Sequence, residues 1–279
     1  MRTRPTNSTR PGRRWCTATS RRPSASSSSS SPASPGSGAG PRGSPCACRC
    51  CSSASSAAGR FGAWTVTLKL WPQVVTAHLL GGFTILTLLW LLTLRLGWRV
   101  PAADGEAGRR QRALVPLAAA ALVFLVMQIA LGGWTSSNYA ALACPDFPTC
   151  QGEWWPEADF DHGFDVLQEV GPNYLGGQLF GEGRVAIHLT HRIGAVIVTL
   201  LLGVLAWRLF TAPPAWGLRP FGLAVALVLA TQVALGIGNV VLSLPLAVAT
   251  AHNAVGAALL LTVVSVNYRL LAATRTAGT

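Results

Sequence analysis

The sequence predicts an all-α polytopic membrane protein. Half of its 279 residues are hydrophobic, only 11% are charged, and the mean hydropathy is +0.40. Five apolar runs, 74–96, 113–133, 188–209, 219–243 and 247–271, are each long enough to cross the hydrocarbon core as a helix.

Residues 1–60 stand apart. Serine, arginine, proline, glycine and alanine dominate them, no periodicity is present, and the composition is that of a disordered segment. Ten arginines and no acidic residue lie here. Without them twelve basic residues face ten acidic ones, so the net charge of +12 argues for no nucleic-acid partner beyond this segment. A signal peptide would need an apolar stretch that is missing, whereas an arginine- and serine-rich, acid-free stretch resembles an organellar transit peptide. The cluster C-A-C-R-C-C at 46–51 has no histidine or second spaced pair to make a zinc site. Reading frame offers another account. Serine codons TCC or TCG, read two bases later, encode leucine or valine, which turns Ser26–Ser31 into an apolar run. In the same frame, permitted codons for Trp15 to Ser20 encode V-H-R-Y-F. Residues 1–60 are therefore expected to be an out-of-frame translation of a lost half-repeat. Resequencing the coding DNA decides it.

From Phe61 the chain reads coherently. After the first span, the loop 97–112 carries Arg99, Arg109, Arg110 and Arg112. After the second, loop 134–185 holds eight of the ten acidic residues and only Arg184. The short connection between the third and fourth spans is flanked by Arg208 and Arg219, and Arg269 and Arg275 close the fifth. The positive-inside rule then places the arginine-bearing loops and the C-terminus in the cytoplasm and loop 134–185 outside. Trp134, Trp154 and Trp155 are expected to form an aromatic belt at that outer interface. The domains expected are a low-complexity segment 1–60, a one-span unit 61–112, and a four-helix bundle 113–279 carrying loop 134–185.

The chain repeats itself. A shift of 174 residues lays Thr76-Ala77-His78 on Thr250-Ala251-His252, Gly62 on Gly236, Gly82 on Gly256, and Leu68, Leu70 and Leu86 on Leu242, Leu244 and Leu260. The topology puts His78, His191 and His252 within about two turns of the outer ends of their spans. Histidines inside membrane spans default to functional candidates, against interhelical hydrogen bonding as the plain alternative. Gly256 lies one turn beyond His252, and Gly194 and Ala195 one turn beyond His191, clearing space for a flat prosthetic group. His188 has Arg192 in that position and is the lesser candidate, suited to the interface. Arg192 can pair with a propionate or snorkel to the surface. His162 falls in the polar loop.

Paired imidazoles on facing helices suit an iron porphyrin. Zinc or copper would want more clustered ligands, and a proton relay would want an intramembrane acid, which these spans lack. A transporter built of duplicated bundles is a third reading, without the broken helices it needs. Cys144 and Cys150 bracket two prolines on the oxidising side. A structural disulfide, a redox-active one and two free thiols are the readings open there.

At these residues the chain resembles the haem A synthase family of cytochrome oxidase biogenesis. The resemblance covers about Phe61 to Arg269. It is carried by G-A-W-T-V-T-L-K-L-W-P-Q-V-V-T-A-H-L at 62–79, G-G-W-T-S-S-N-Y-A-A-L-A-C-P-D-F-P-T-C-Q-G at 132–152, P-N-Y-L-G-G-Q-L at 172–179, H-L-T-H-R at 188–192 and A-H-N-A at 251–254. It implies eight spans in two four-helix bundles, of which five are present. It also implies a haem b held by His191 and His252, and haem O as the substrate, its methyl oxidised to the formyl of haem A. His78 matches one histidine of the substrate site, whose partner and nearby glutamate would lie on a span not found here. Cys144 and Cys150 match the family's outer-loop cysteine pair. The metal ligands expected are thus His78, His191 and His252, with Arg192, Gly256 and Ala195 lining the haem. A non-catalytic haem-binding membrane protein is the alternative. Implied partners are haem O synthase, oxidase assembly factors, the lipid bilayer and a second copy of the chain. The expected location is a bacterial inner membrane.

Overall fold

A computed structural model describes residues 56–275 apart from 57, 58, 61, 69, 99, 102, 104, 168–173 and 175–176; the side chains of 274 and 275 are also outside it. The cysteine cluster and nearly all of the low-complexity segment, with its frame-shift reading, lie outside the described residues. Most of the described ones are helical: a stretch at 62–67, then α1 (Pro72–Gly97), α2 (Gly105–Arg112), α3 (Val115–Ser137), α4 (Phe160–Gly163), α5 (Gly181–Phe210), a 3-10 turn (Pro214–Trp216), α6 (Arg219–Val241) and α7 (Leu246–Arg275). Five helical segments are long and apolar enough to cross a membrane, as expected from the hydropathy. The chain is a multi-pass membrane protein.

Local sequence sets the helix ends. Prolines in the first turns of α1, α3 and α6 start those helices where their missing N–H costs nothing. α5 begins seven residues before the expected span, because Gly181–Ile187 is too polar for a hydropathy window yet helical, with Glu182 in the first turn facing the positive end of the dipole. α2 was not expected at all. It lies in a stretch read as a charged loop, carries a Glu106–Arg110 pair one turn apart, and rests at Gly108 on the Ala103 carbonyl. The Ala103 N–H in turn bonds the Ala273 carbonyl, 3.1 Å away, and so ties this segment to the end of α7.

α3, α5, α6 and α7 pack in a closed ring, each against its two neighbours, and α1 lies against α3 and α7. The ring's core, in the half remote from loop 138–180, is Leu125, Leu202, Leu205, Leu209, Val225, Leu259, Val263 and Leu270. Its outer surface is also apolar, with Val196, Leu200, Leu223 and Leu227 exposed, as lipid contact requires. Helices in lipid gain little from apolar burial alone, so close approach and polar contacts hold them together. A Cβ on Gly222 would stand 2.7 Å from the Ala206 carbonyl oxygen, so α5 and α6 meet backbone to backbone there. Asn267 Nδ2 donates to the Ala118 carbonyl across α7 and α3 at 3.0 Å, and Trp90 Nε1 donates to Ser265 Oγ across α1 and α7 at 2.8 Å.

The duplication survives in three dimensions. Leu70 and Leu244, one repeat apart, both adopt left-handed φ, 67° and 60°. Leu68 N–H bonds the Trp64 carbonyl as Leu242 N–H bonds that of Gly238. Leu70 N–H bonds the Thr65 carbonyl as Leu244 N–H bonds that of Asn239. Every one of these partners is 174 residues from its counterpart. A Cβ on Gly62 would meet His78 Cε1 at 3.0 Å, and one on Gly236 would meet His252 Cε1 at 3.2 Å. One helix–turn–helix unit, with its turn and its glycine seat for an imidazole, occurs twice.

Candidate functional site

The third and fifth expected spans each bring a histidine into the ring. His191, on α5, lies against α3: a Cβ on Gly132 would be 3.3 Å from its Cε1, and Gln128, one turn away, sets Nε2 3.0 Å from its Nδ1 and 2.9 Å from its carbonyl oxygen. His252, on α7, lies against α6 in the same manner, between Gly236 and Gln232, whose Nε2 is 3.3 Å from the His252 Nε2. His252 Nδ1 is buried without a hydrogen-bond partner among the described residues.

The space that Gly194 and Gly256 clear is filled by these glutamines. A Cβ on Gly194 would lie 2.2 Å from Gln128 Oε1, and one on Gly256 would lie 3.3 Å from Gln232 Nε2. The glycine beside each imidazole therefore admits a carboxamide from the facing helix. Ala195 follows Gly194 and is half-buried. His78 stands on α1, outside the ring, exposed and seated against Gly62.

His188 is buried inside the protein. It is 4% exposed, with Cys144 N–H 3.3 Å from Nδ1 and Arg192 Nε 3.2 Å from Nε2. A neutral imidazole accepts at one nitrogen only, so one of these is a hydrogen bond and the other a contact. Arg192 holds the loop: Nη1 donates to the Thr149 carbonyl at 2.7 Å, and Nη2 to those of Cys144 and Asp146 at 2.9 and 2.7 Å. A propionate at Arg192 would share the guanidinium with these carbonyls. Cys144 and Cys150 are joined in a disulfide, Cα atoms 4.5 Å apart, and both are buried.

Inside that loop Asp146 accepts from Thr149 Oγ1 at 2.5 Å, Gln151 N–H at 2.6 Å and Gly152 N–H at 3.0 Å. The Thr149 hydroxyl, then the Gly152 and Gln151 amides, hold its carboxyl down from 3.8 to about 2. A carboxylate whose folded value lies below its unfolded one contributes stability that is complete above the unfolded value and lost as pH falls through the folded one. The loop is therefore expected to keep its form down to pH 4 and to loosen between pH 4 and about pH 2. Emission of the exposed Trp154 and Trp155 reports the change, and Asp146→Asn removes its pH dependence.

Trp134 departs from the belt expected of it. It is 8% exposed, and its Nε1–H donates to the Gly163 carbonyl at 2.9 Å, docking α4 on the end of α3. Trp154 and Trp155 do stand exposed. Asn138, fully buried, receives the Tyr174 hydroxyl at 2.7 Å and completes the loop's polar anchor. His162 is exposed beside Asp159, its Nδ1 2.6 Å from the carboxylate.

The two glutamines were missed by sequence reading. Their signal was present as Q-I-A-L-G at 128–132 and Q-V-A-L-G at 232–236, one on the helix facing each histidine.

Comparison with known proteins identifies the family. The family of cytochrome oxidase assembly proteins designated COX15-CtaA matches residues 54–264. A heme A synthase of Shewanella oneidensis is 46% identical over 213 residues, covering 76% of this chain and 62% of the relative. Those of Paracoccus denitrificans and Methylobacterium radiotolerans are 30% and 33% identical, over 75% and 59% of this chain and 53% and 44% of their own lengths. The chain thus spans less than two thirds of the relatives it resembles.

Proposed function

Because this chain belongs to the COX15-CtaA family of cytochrome oxidase assembly proteins, we propose that it acts in haem A synthesis, oxidising the methyl group of haem O to a formyl. The observation that carries the reading is the pair of imidazoles of His191 and His252, each seated on a glycine of the facing helix inside an apolar ring. Haem fits there by the chemistry of the donors. One imidazole enters the ring from α5 and one from α7, and no cluster of three or more metal-binding side chains among the described residues suits another metal. Bound as haem b, the group would supply one-electron transfer. The chain's own contribution is to fix the two rings, to exclude water with the apolar core, and to set Arg192 beside His191 as positive charge for the propionates. His78, the repeat counterpart of His252, is the proposed ligand of the substrate haem on the α1 side. The arginine-bearing loops and C-terminus face the cytoplasm in this proposal, and loop 138–180 the outer side.

The test is to express the full chain in a bacterial membrane that makes haem O but no haem A, and to separate extracted haems by chromatography. Haem A above background is the expected result. A b-type spectrum in the purified chain with no haem A would leave the non-catalytic haem-binding reading instead.

A further inference from the structure

We propose that the end of the molecule opposite loop 138–180 is a docking surface for the head groups of anionic phospholipids, centred on α2 and its arginines. The inference is independent of the haem reading and concerns residues which that reading does not use.

The topology gathers the ends of α1, α5 and α7, all of α2, and the starts of α3 and α6 at this one end. Six arginines there are exposed: Arg95, Arg109, Arg110, Arg112, Arg208 and Arg219. Glu106 is the one acidic side chain among the described residues of that end. Arg95 and Arg208 lie in the last turns of α1 and α5, Arg219 opens α6, and α2 stops just short of the apolar start of α3. At about 1.5 Å per residue, all six fall within roughly two turns of an apolar helix, the depth of the lipid phosphates. The band is thus continuous with the apolar surface that faces lipid, where a soluble anion has no reason to gather.

Aromatic rings stand at the same depth. Trp207 and Phe210 are exposed on either side of Arg208. Trp98 stacks on Phe221, ring centroids 5.5 Å apart, and lies 5.9 Å from Tyr268. Rings beside cations suit the boundary between acyl chains and head groups.

α2 holds its three arginines in place, because the Ala103–Ala273 bond and the close seat of Gly108 fix it against α7. An open cleft of about 220 Å³ separates it from the 3-10 turn, lined by Glu106, Ala107, Arg110 and Trp216. Beneath lies Arg269, 8% exposed, with Nη2 donating to the Trp216 carbonyl at 3.0 Å and Nη1 without a partner among the described residues. No described carboxylate pairs with it. Its charge reaches no lipid directly but adds to the positive potential over this end. A basic band at phosphate depth attracts anionic lipid by just this complementarity.

The full chain is reconstituted in phosphatidylcholine vesicles with a trace of spin-labelled phosphatidylglycerol or spin-labelled phosphatidylcholine. Electron paramagnetic resonance measures the share of each label that the protein immobilises. Phosphatidylglycerol is expected to associate about 5-fold or more tightly than phosphatidylcholine, and added salt is expected to remove most of that difference. The Arg109→Gln, Arg112→Gln double variant keeps the Glu106–Arg110 pair of α2 and is expected to lower the ratio at least about 2-fold. Glu106→Gln removes the one opposing charge and is expected to raise it, and this opposite shift decides the matter if the double variant fails to fold. Equal association of the two lipids, an unchanged ratio in the double variant, a fall in Glu106→Gln, or a preference that survives salt would overturn the proposal, leaving a protein or nucleic acid to meet the arginines. Displacement of labelled phosphatidylglycerol by inorganic phosphate would overturn it too, by making the site one for a free anion.

Discussion

His191→Ala and His252→Ala are each expected to abolish the b-type spectrum of the purified chain, while His78→Ala leaves it in place. The asymmetry follows from position. His191 and His252 enter one ring of four helices, whereas His78 stands on α1, exposed, with α1 packed on the outside of that ring. Losing either ring member leaves iron with one imidazole and an apolar gap that offers no substitute, so haem content is expected to fall from about one per chain to the detection limit. The pyridine haemochrome assay reads this without any requirement for turnover. An unchanged haem content in His252→Ala would move the cofactor elsewhere and sink the assignment. His78→Ala is expected instead to remove haem A formation.

Arg192→Leu is expected to release loop 138–180 more completely than loss of the disulfide does. Closing so short a ring covalently restricts the unfolded chain by about 2 kcal/mol in the chain-entropy account. The guanidinium donates to three loop carbonyls and touches His188. Leaving those acceptors unpaired costs roughly 1–3 kcal/mol for each one that water cannot reach, and with the site half-buried the sum is about 2–4 kcal/mol. Limited proteolysis between 138 and 180 measures it: Arg192→Leu is expected to be cut faster than the Cys144→Ser, Cys150→Ser double variant. Arg192→Lys should fall between, because an ammonium cannot span three carbonyls as a planar fork does. Equal cutting of Arg192→Leu and wild type would show that the contacts do not hold the loop.

How far these features were legible in the sequence depended on the physics behind each. Five spans could be read from hydropathy because lipid-facing and core-facing surfaces are both apolar. His78 and His252 stood out because ionisable groups in a span are rare, and their repeat relation reappears in the turns at Leu70 and Leu244. The glutamines escaped because an uncharged side chain raises no alarm in an apolar run, and because their spacing does not match the repeat. α2 escaped because Gly105–Arg112 has no apolar stripe and is held by an i,i+4 charge pair and a docking contact at Ala103. Trp134 was misplaced because composition cannot tell a tryptophan at the interface from one whose indole N–H finds a carbonyl indoors. Arg192 and His188 lie on α5 beneath a loop that closes on them from more than forty residues away, and no local pattern announces such a contact.

Each imidazole meets a glycine and a glutamine of its own helix partner, α3 for His191 and α6 for His252. Mechanically, this makes the ring a vice with two separately trued jaws. The pitch of each ring is fixed inside its jaw, and the gap between them is set where the jaws meet, at contacts such as Asn267 with the Ala118 carbonyl and Gly222 with Ala206. Evolution could therefore widen or narrow the opening through residues far from either histidine without tilting the faces that grip.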